Sequence, residues 1–444
     1  MGNMKSKKRP ITDKKRMDAI VRCLDHIEEI SSISSDGKPS INVDVLYYFV
    51  EEILYEYFPL DEYIPERTKR GIIFSAQMRW LKYKKTGSKT LKLHSFKRAV
   101  ETEFRKIKKK QSKYTVLMFL NVDSQTIGEF TKVEILGDTL TFISWQDISA
   151  LDIKNLWQEV KFQNKDNPIL WNFPDLNQPT PDQNIFTPIL FEIYTYGPEA
   201  AIEISVDRID LLRVIFNLPL ALGGFSYFRT VPKALSEILP TPIYVIFNNE
   251  GKRVSTYFTI EKYNYKLVKI PSDQRKSIQY LLSKFEYRSI SNSSWQFVLD
   301  ILRQYQKALD TSTIESGFLA MWQVLENSIG FGEELIRNNQ IQSRVSDFVR
   351  MDPITTDILE ILIDKRNKYV HSGKFLEDGD HLFFILKLIT DSVVRSLISY
   401  SENFKTLAEL REFVSFSSLG DGDLRRKLSV IEKIEEFRSK NEQI

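Results

Sequence analysis

ILIDKRNKYVHSG, residues 361–373, reads as the closing turns of an amphipathic helix that breaks its own pattern. Leu359 and Leu362 start an apolar stripe at helical spacing, and continuing it leads to Arg366 and then to Tyr369 or Val370. A guanidinium on a core-facing stripe needs a partner, because burying an unpaired charge is costly. Gly373 suits the residue after a helix end, where a left-handed backbone closes the last turn. Asn367 and His371 are four residues apart and share one face, with Asp364 one turn further back. Upstream, FLAMWQVLEN, residues 318–327, carries the complementary anomaly. Phe318, Met321, Trp322, Leu325 and Ile329 form an apolar stripe, and the carboxylate of Glu326 falls on or next to it. Glu326 is the natural partner for Arg366.

Helical periodicity dominates everything after Pro271, through 274–285, 295–309, 314–329, 355–370 and 382–399. Residues 271–444 therefore read as an α-helical domain. The preceding section, 114–270, alternates between classes. An apolar run at 115–120, a hairpin at 132–143 turning at Gly137-Asp138, a helix at 151–160, a strand at 189–196, a helix at 200–216 and a hairpin from 243 to 260 make it α+β. Between them, 164–188 holds Pro168, Pro174, Pro179, Pro181 and Pro188 and reads as a long loop or boundary. Residues 1–113 show two helical patterns, Met17 to Ile30 and Leu46 to Tyr57, expected to pack together, and then a strongly basic stretch. The predicted class is an α+β N-terminal region followed by an all-α C-terminal bundle.

The basic stretch is the strongest compositional feature. Arg67 to Lys113 contains seventeen Lys or Arg against Glu101 and Glu103, a charge of +15, so the remaining residues must carry −12 for the net charge of +3. Arg79, Trp80, Lys82, Tyr83, Lys84 and Lys85 interleave rings with cations, and Lys92, Lys97 and Arg98 follow on a predicted helix at 92–110. Two readings stand: a solubilising face, or a nucleic-acid surface on which cations meet phosphates and Trp80 or Tyr83 stacks on bases.

Composition narrows the chemistry. Across 444 residues, 42% are hydrophobic, 27% charged and 12% aromatic, the profile of a folded globular protein. The longest weakly polar run, 214–225, is too short to span a bilayer, so no membrane partner is expected. Met1, Gly2 and Ser6 fit a loose acylation pattern that many unmodified proteins also fit. One cysteine, Cys23, excludes an internal disulfide, and with no apolar secretory leader a cytoplasmic location is expected. The four histidines show no metal-ligand spacing, and neither a GxxxxGK[ST] loop nor a GxGxxG turn occurs. No metal and no cofactor are expected.

Arg366, Asn367 and His371 at the end of a bundle helix resemble the R-x4-6-H motif of HEPN domains. Together with FLAMWQVLEN, they are similar to the abortive-infection and Apea-like branch of that superfamily, over 272 to about 400. The resemblance implies a HEPN-like bundle and a metal-independent endoribonuclease of the bacterial anti-phage defence or toxin type. It further implies that two such domains pair, as a homodimer or higher even oligomer, so that two R-x4-H motifs share one cleft, and that a phage-derived or protein trigger acts on the chain. Arg366 and His371 take the catalytic roles, Asn367 orients and Glu326 supports. The alternative stays open that Arg366 and Glu326 are a structural ion pair and that His371 complements the negative end of the helix dipole. The chain would then be a non-catalytic nucleic-acid-binding adaptor that uses the bundle to dimerise.

Overall fold

In the computed structural model the described residues run from 14 to 441, without 35–37, 43–44, 58–65, 84–87, 110, 124–126, 128–130, 149–150, 152–184, 221–235, 242, 259–265, 287–292, 332–337, 349–352, 374–378 and 418–420. In chain order they form α1 (Lys14–Glu29), β1 (Ser31–Ile33), β2 (Pro39–Ile41), α2 (Val45–Tyr57), α3 (Glu66–Tyr83) and α4 (Lys89–Lys108). Next come β3 (Ser112–Leu120), β4 (Lys132–Ile135), β5 (Asp138–Phe142), the single turn α5 (Trp145–Ile148), β6 (Thr187–Thr195), α6 (Pro198–Leu220), β7 (Ile243–Phe247) and β8 (Arg253–Phe258). The remainder is helical: α7 (Ser272–Glu286), α8 (Ser293–Leu309), α9 (Ile314–Gly330), α10 (Asn338–Phe348), α11 (Pro353–Ser372), α12 (Gly379–Tyr400), α13 (Leu407–Ser417) and α14 (Asp421–Asn441). The fold is thus mostly helical, with a small antiparallel sheet in the N-terminal half and helices toward the C-terminus. The helix expected at 151–160 and most of the Pro-rich stretch 164–188 lie outside the described residues.

Six strands line up in the order β4-β5-β6-β3-β7-β8, and β1 with β2 form a separate two-stranded ribbon. Residues 116–120 of β3 and all of β7 are buried, which is why these central strands read as continuous apolar runs rather than alternating ones. The β4-β5 hairpin pairs Ile135 with Asp138, leaving Leu136 and Gly137 as a two-residue loop with φ of 55° and 85°. Positive φ at both positions is what a hairpin turn matching the strand twist requires, and Leu136 adopts it without the freedom of glycine.

The chain divides into two compact units. The first comprises Met1–Leu117, Leu190–Val206 and Ile243–Phe258. Its core lies among α1 to α4, where Ile20, Leu24, Ile27, Leu54, Ile72, Ile73, Ala76, Trp80, Phe96 and Val100 pack together. Tyr47 donates to buried Gln77 at 2.7 Å, which gives a partner to an amide carbonyl on the inner face of α3 that the apolar stripe would otherwise strand. Helix α4 starts at Ser88, whose hydroxyl accepts the Leu91 N–H at 3.4 Å, and it ends in Arg105, Lys106 and Lys108, the sign that a helix C-terminus favours.

The second unit comprises Met118–Ile189, Asp207–Pro242 and Thr259–Ile444. Trp295, Tyr305, Phe318 and Trp322 fill the core of its helices. Within that core Tyr305 donates to Asp391 at 2.5 Å and Lys387 donates to the other carboxylate oxygen at 2.7 Å. Burial pushes the Tyr305 hydroxyl up and pulls the Lys387 ammonium down, the latter against the attraction of Asp391. A second polar cluster ties α6 to the C-terminal helices: buried Arg213 reaches Asp310 at 2.5 Å, Asp210 at 2.8 Å and the Ile238 carbonyl at 2.8 Å. Arg303 holds Asp207 at 2.5 Å, and Arg395 donates to the Leu218 carbonyl at 2.5 Å. Burial lifts Asp210 to about 6 despite neighbouring Arg213.

Candidate functional site

Helix α11 buries Leu359 and Leu362 and then runs outward. Its later turns lose cover: Val370, on the same stripe as Leu359, is 52% exposed, and His371 is exposed as well. Gly373 closes the helix at φ 65°, its N–H bonding to the Tyr369 carbonyl at 2.8 Å, which fixes where His371 ends the rod.

Arg366 stands where the buried stripe gives way to surface. Its Nη2 donates to Glu326 Oε1 at 3.5 Å and its Nη1 to Asn367 Oδ1 at 3.1 Å. The two charged side chains are 29% and 25% exposed, so the pair is half-buried and water reaches it. Asn367 holds the guanidinium from within the same helix, while Glu326 does so from α9. His371 follows Asn367 by one turn. Asp364 pairs with Lys368 at 2.7 Å on the exposed side of the helix and takes no part in the Arg366 cluster.

Two polar residues that the sequence pattern does not single out flank this group. Asn327, next to Glu326, donates to Gln304 of α8 at 2.5 Å and so fixes the turn that presents Glu326. A signal for it exists in the sequence, since Asn327 extends the break that Glu326 makes in an apolar helix. Among the described residues no three His, Cys, Asp or Glu side chains converge as a metal-binding group. No helix of the described residues is long and apolar enough to cross a membrane.

The basic segment is rearranged by folding. Trp80 is not a stacking platform: its ring is 2% exposed, lies edge-on to Phe96, and its Nε1 donates to Ser95 at 2.9 Å. The reason is helical spacing, which puts Trp80 on the same stripe as Ile73 and Ala76. Tyr83, by contrast, is 63% exposed, with Arg79 and Lys82 within 5.6 and 5.5 Å of its ring centre. Lys92 bridges Asp25 at 2.6 Å and Glu28 at 3.0 Å, and Arg79 meets Glu103 at 3.3 Å, so these two cations serve the helix packing. Lys97 and Arg98 are exposed on α4, and Lys84 and Lys85 lie outside the described residues.

No protein-family model, no curated protein and no solved structure matches the chain.

Proposed function

We propose that the C-terminal helices form a HEPN-type bundle and that the chain is a metal-independent endoribonuclease effector, of the bacterial defence or toxin type. The observation that carries this reading is the pairing of a fixed cation with an exposed imidazole. Arg366 is held by Glu326 and Asn367, and His371 stands open one turn further along the same helix.

In this reaction the ribose 2′-oxygen attacks its own 3′-phosphorus and loses its proton to a base. The P–O5′ bond breaks and an acid protonates the leaving 5′-oxygen, giving a 2′,3′-cyclic phosphate and a 5′-hydroxyl. Arg366 offsets the charge that builds on the phosphate oxygens, an interaction that strengthens in the transition state. One His371 cannot serve as base and acid in the same concerted step, so two chains pair and each contributes one imidazole. Val370, His371 and Ser372 at the end of α11 are exposed, as a residue that meets a partner chain must be. DNA, without the 2′-hydroxyl, is bound but not cut.

The test is cleavage of RNA and of matched DNA in the presence of a chelator, with mapped ends. Wild type yields 2′,3′-cyclic phosphates, while His371→Ala and Arg366→Ala each lose cleavage and keep their oligomeric state and cooperative unfolding. Full activity in His371→Ala rejects the site.

A further inference from the structure

We infer that the outward face of α4 is the surface that meets the RNA backbone, an assignment that rests on the ribonuclease reading above and names where its substrate is held. The fold sorts most of the described cations of 67–113 into two groups. Those on the inner and lateral sides are matched with carboxylates: Arg70 with Glu52, Arg79 and Lys106 with Glu103, Lys89 with Asp18, Lys92 with Asp25 and Glu28, and Lys113 with Glu192. The pairs of Arg70, Arg79, Lys89 and Lys92 tie helices of this unit to one another, Lys106 pairs within α4, and Lys113 with Glu192 links β3 to β6.

The second group lies on the opposite side of α4, where His94, Lys97, Arg98, Arg105, Lys108 and Lys109 are all exposed. Their spacing of three, four and seven residues keeps them on one face, opposite the buried stripe of Leu93, Phe96, Ala99 and Val100. Among the described residues of α4, Glu101 is the carboxylate on that face, 3.9 Å from Arg105, with both side chains at least half exposed. Lys97, Arg98 and Lys109 have no carboxylate partner among the described residues. From Lys97 to Lys109 the face runs roughly 18 Å at 1.5 Å per residue. A row of cations along a rigid rod, three of them uncompensated, suits a repeating anion, and charge alone does not read base edges. The recognised feature is therefore the phosphate backbone. On the neighbouring α3, the exposed ring of Tyr83 with its two flanking cations offers a place for a base to stack.

The experiment compares two triple variants of the full chain in binding a fluorescent single-stranded RNA across salt concentrations. One removes the outward cations, Lys97→Gln, Arg98→Gln and Lys109→Gln; the other removes the same charge from matched positions, Lys89→Gln, Lys106→Gln and Lys113→Gln. All six positions are exposed or half exposed, and glutamine is a good helix former at the positions within α4, so both variants fold, which their far-UV spectra and melting curves check. The outward variant lowers the slope of log K against log salt by about 2, at roughly 0.7 for each phosphate no longer neutralised. The matched variant lowers it by less than half as much. An unchanged slope in the outward variant, or equal reductions in the two, overturns the assignment. So does binding of an acidic peptide, rather than RNA, that depends on these three residues. Cleavage by His371→Ala is read separately: if it persists while the outward variant loses its slope, the active site is wrong and the RNA face stands.

Discussion

Replacing Glu326 by glutamine removes one charge from the Arg366 cluster and keeps its shape, so its effect can be worked from the geometry. At 3.5 Å and an effective dielectric of about 20, the attraction between the two charges is about 5 kcal/mol before solvation is counted. Both side chains are about a quarter exposed, so water already recovers much of that energy, and Asn367 Oδ1 still accepts from Arg366 after the change. The net loss should be about 1 to 2 kcal/mol, smaller than the roughly 3 to 5 kcal/mol that follows when a fully buried pair is broken. Urea unfolding of wild type, Glu326→Gln, Arg366→Met and the double variant gives both the loss and the coupling between the two positions. If the proposed ribonuclease site is right, the same change should let the guanidinium turn away from the phosphate and lower kcat on RNA by about tenfold to a hundredfold. A stability loss above about 4 kcal/mol would show a guanidinium with no outlet to solvent, and a coupling below about 0.3 kcal/mol would show two side chains that do not sense each other. Either result refutes the picture of a water-accessible, oriented cation.

Two further outcomes follow from the packing. Trp80→Ala should cost about 3 to 5 kcal/mol in chemical unfolding, the value for an aromatic ring removed from a core, while the salt slope of RNA binding stays as in wild type. Asp210, lifted by burial to about 6 from an ordinary value near 3.8, opposes stability at neutral pH. A raised folded value means that the stabilising contribution is complete below the unfolded value and is lost as pH rises through the folded one. Going from pH 7 to pH 5 should therefore recover about 1 kcal/mol through this group, and Asp210→Asn should remove that difference. An Asp210→Asn protein whose stability changes with pH as wild type does would place the titration elsewhere.

The helices toward the C-terminus are legible in the sequence because their buried faces repeat at helical spacing over three or more turns. Helix α10 escapes such a reading although Ile341, Val345 and Phe348 mark one face, because Asn, Gln, Ser and Arg outnumber them in an eleven-residue segment. The three-residue strands β1 and β2 are too short to carry any alternation. Trp80 misleads for the opposite reason: Arg79 and Lys82 stand close to it in sequence, but its neighbours along the helix face are Ile73 and Ala76, and the second relation decides burial. The meeting of Arg366 with Glu326 can be anticipated, since two opposite charges each interrupt an apolar stripe. Their partial exposure cannot, because it depends on how far α11 extends beyond its neighbours. Nor does the sequence sort the basic segment, since that depends on Asp18, Asp25 and Glu28, up to 71 residues away from their lysines.

The ties of Arg213, Arg303 and Arg395 bear on how the molecule can be taken apart. Each joins the segment 207–220 to a helix that begins after residue 290 or, for Arg213, to Asp310 just past the end of α8. A fragment starting at residue 271 would leave Asp310 without Arg213, Arg303 without Asp207 and Arg395 without the Leu218 carbonyl. The C-terminal helices are thus not a detachable module that a protease could release intact, and a segment far upstream in sequence is part of their compact unit. Whatever acts on these helices acts on them together with residues 207–220, rather than by cutting them free.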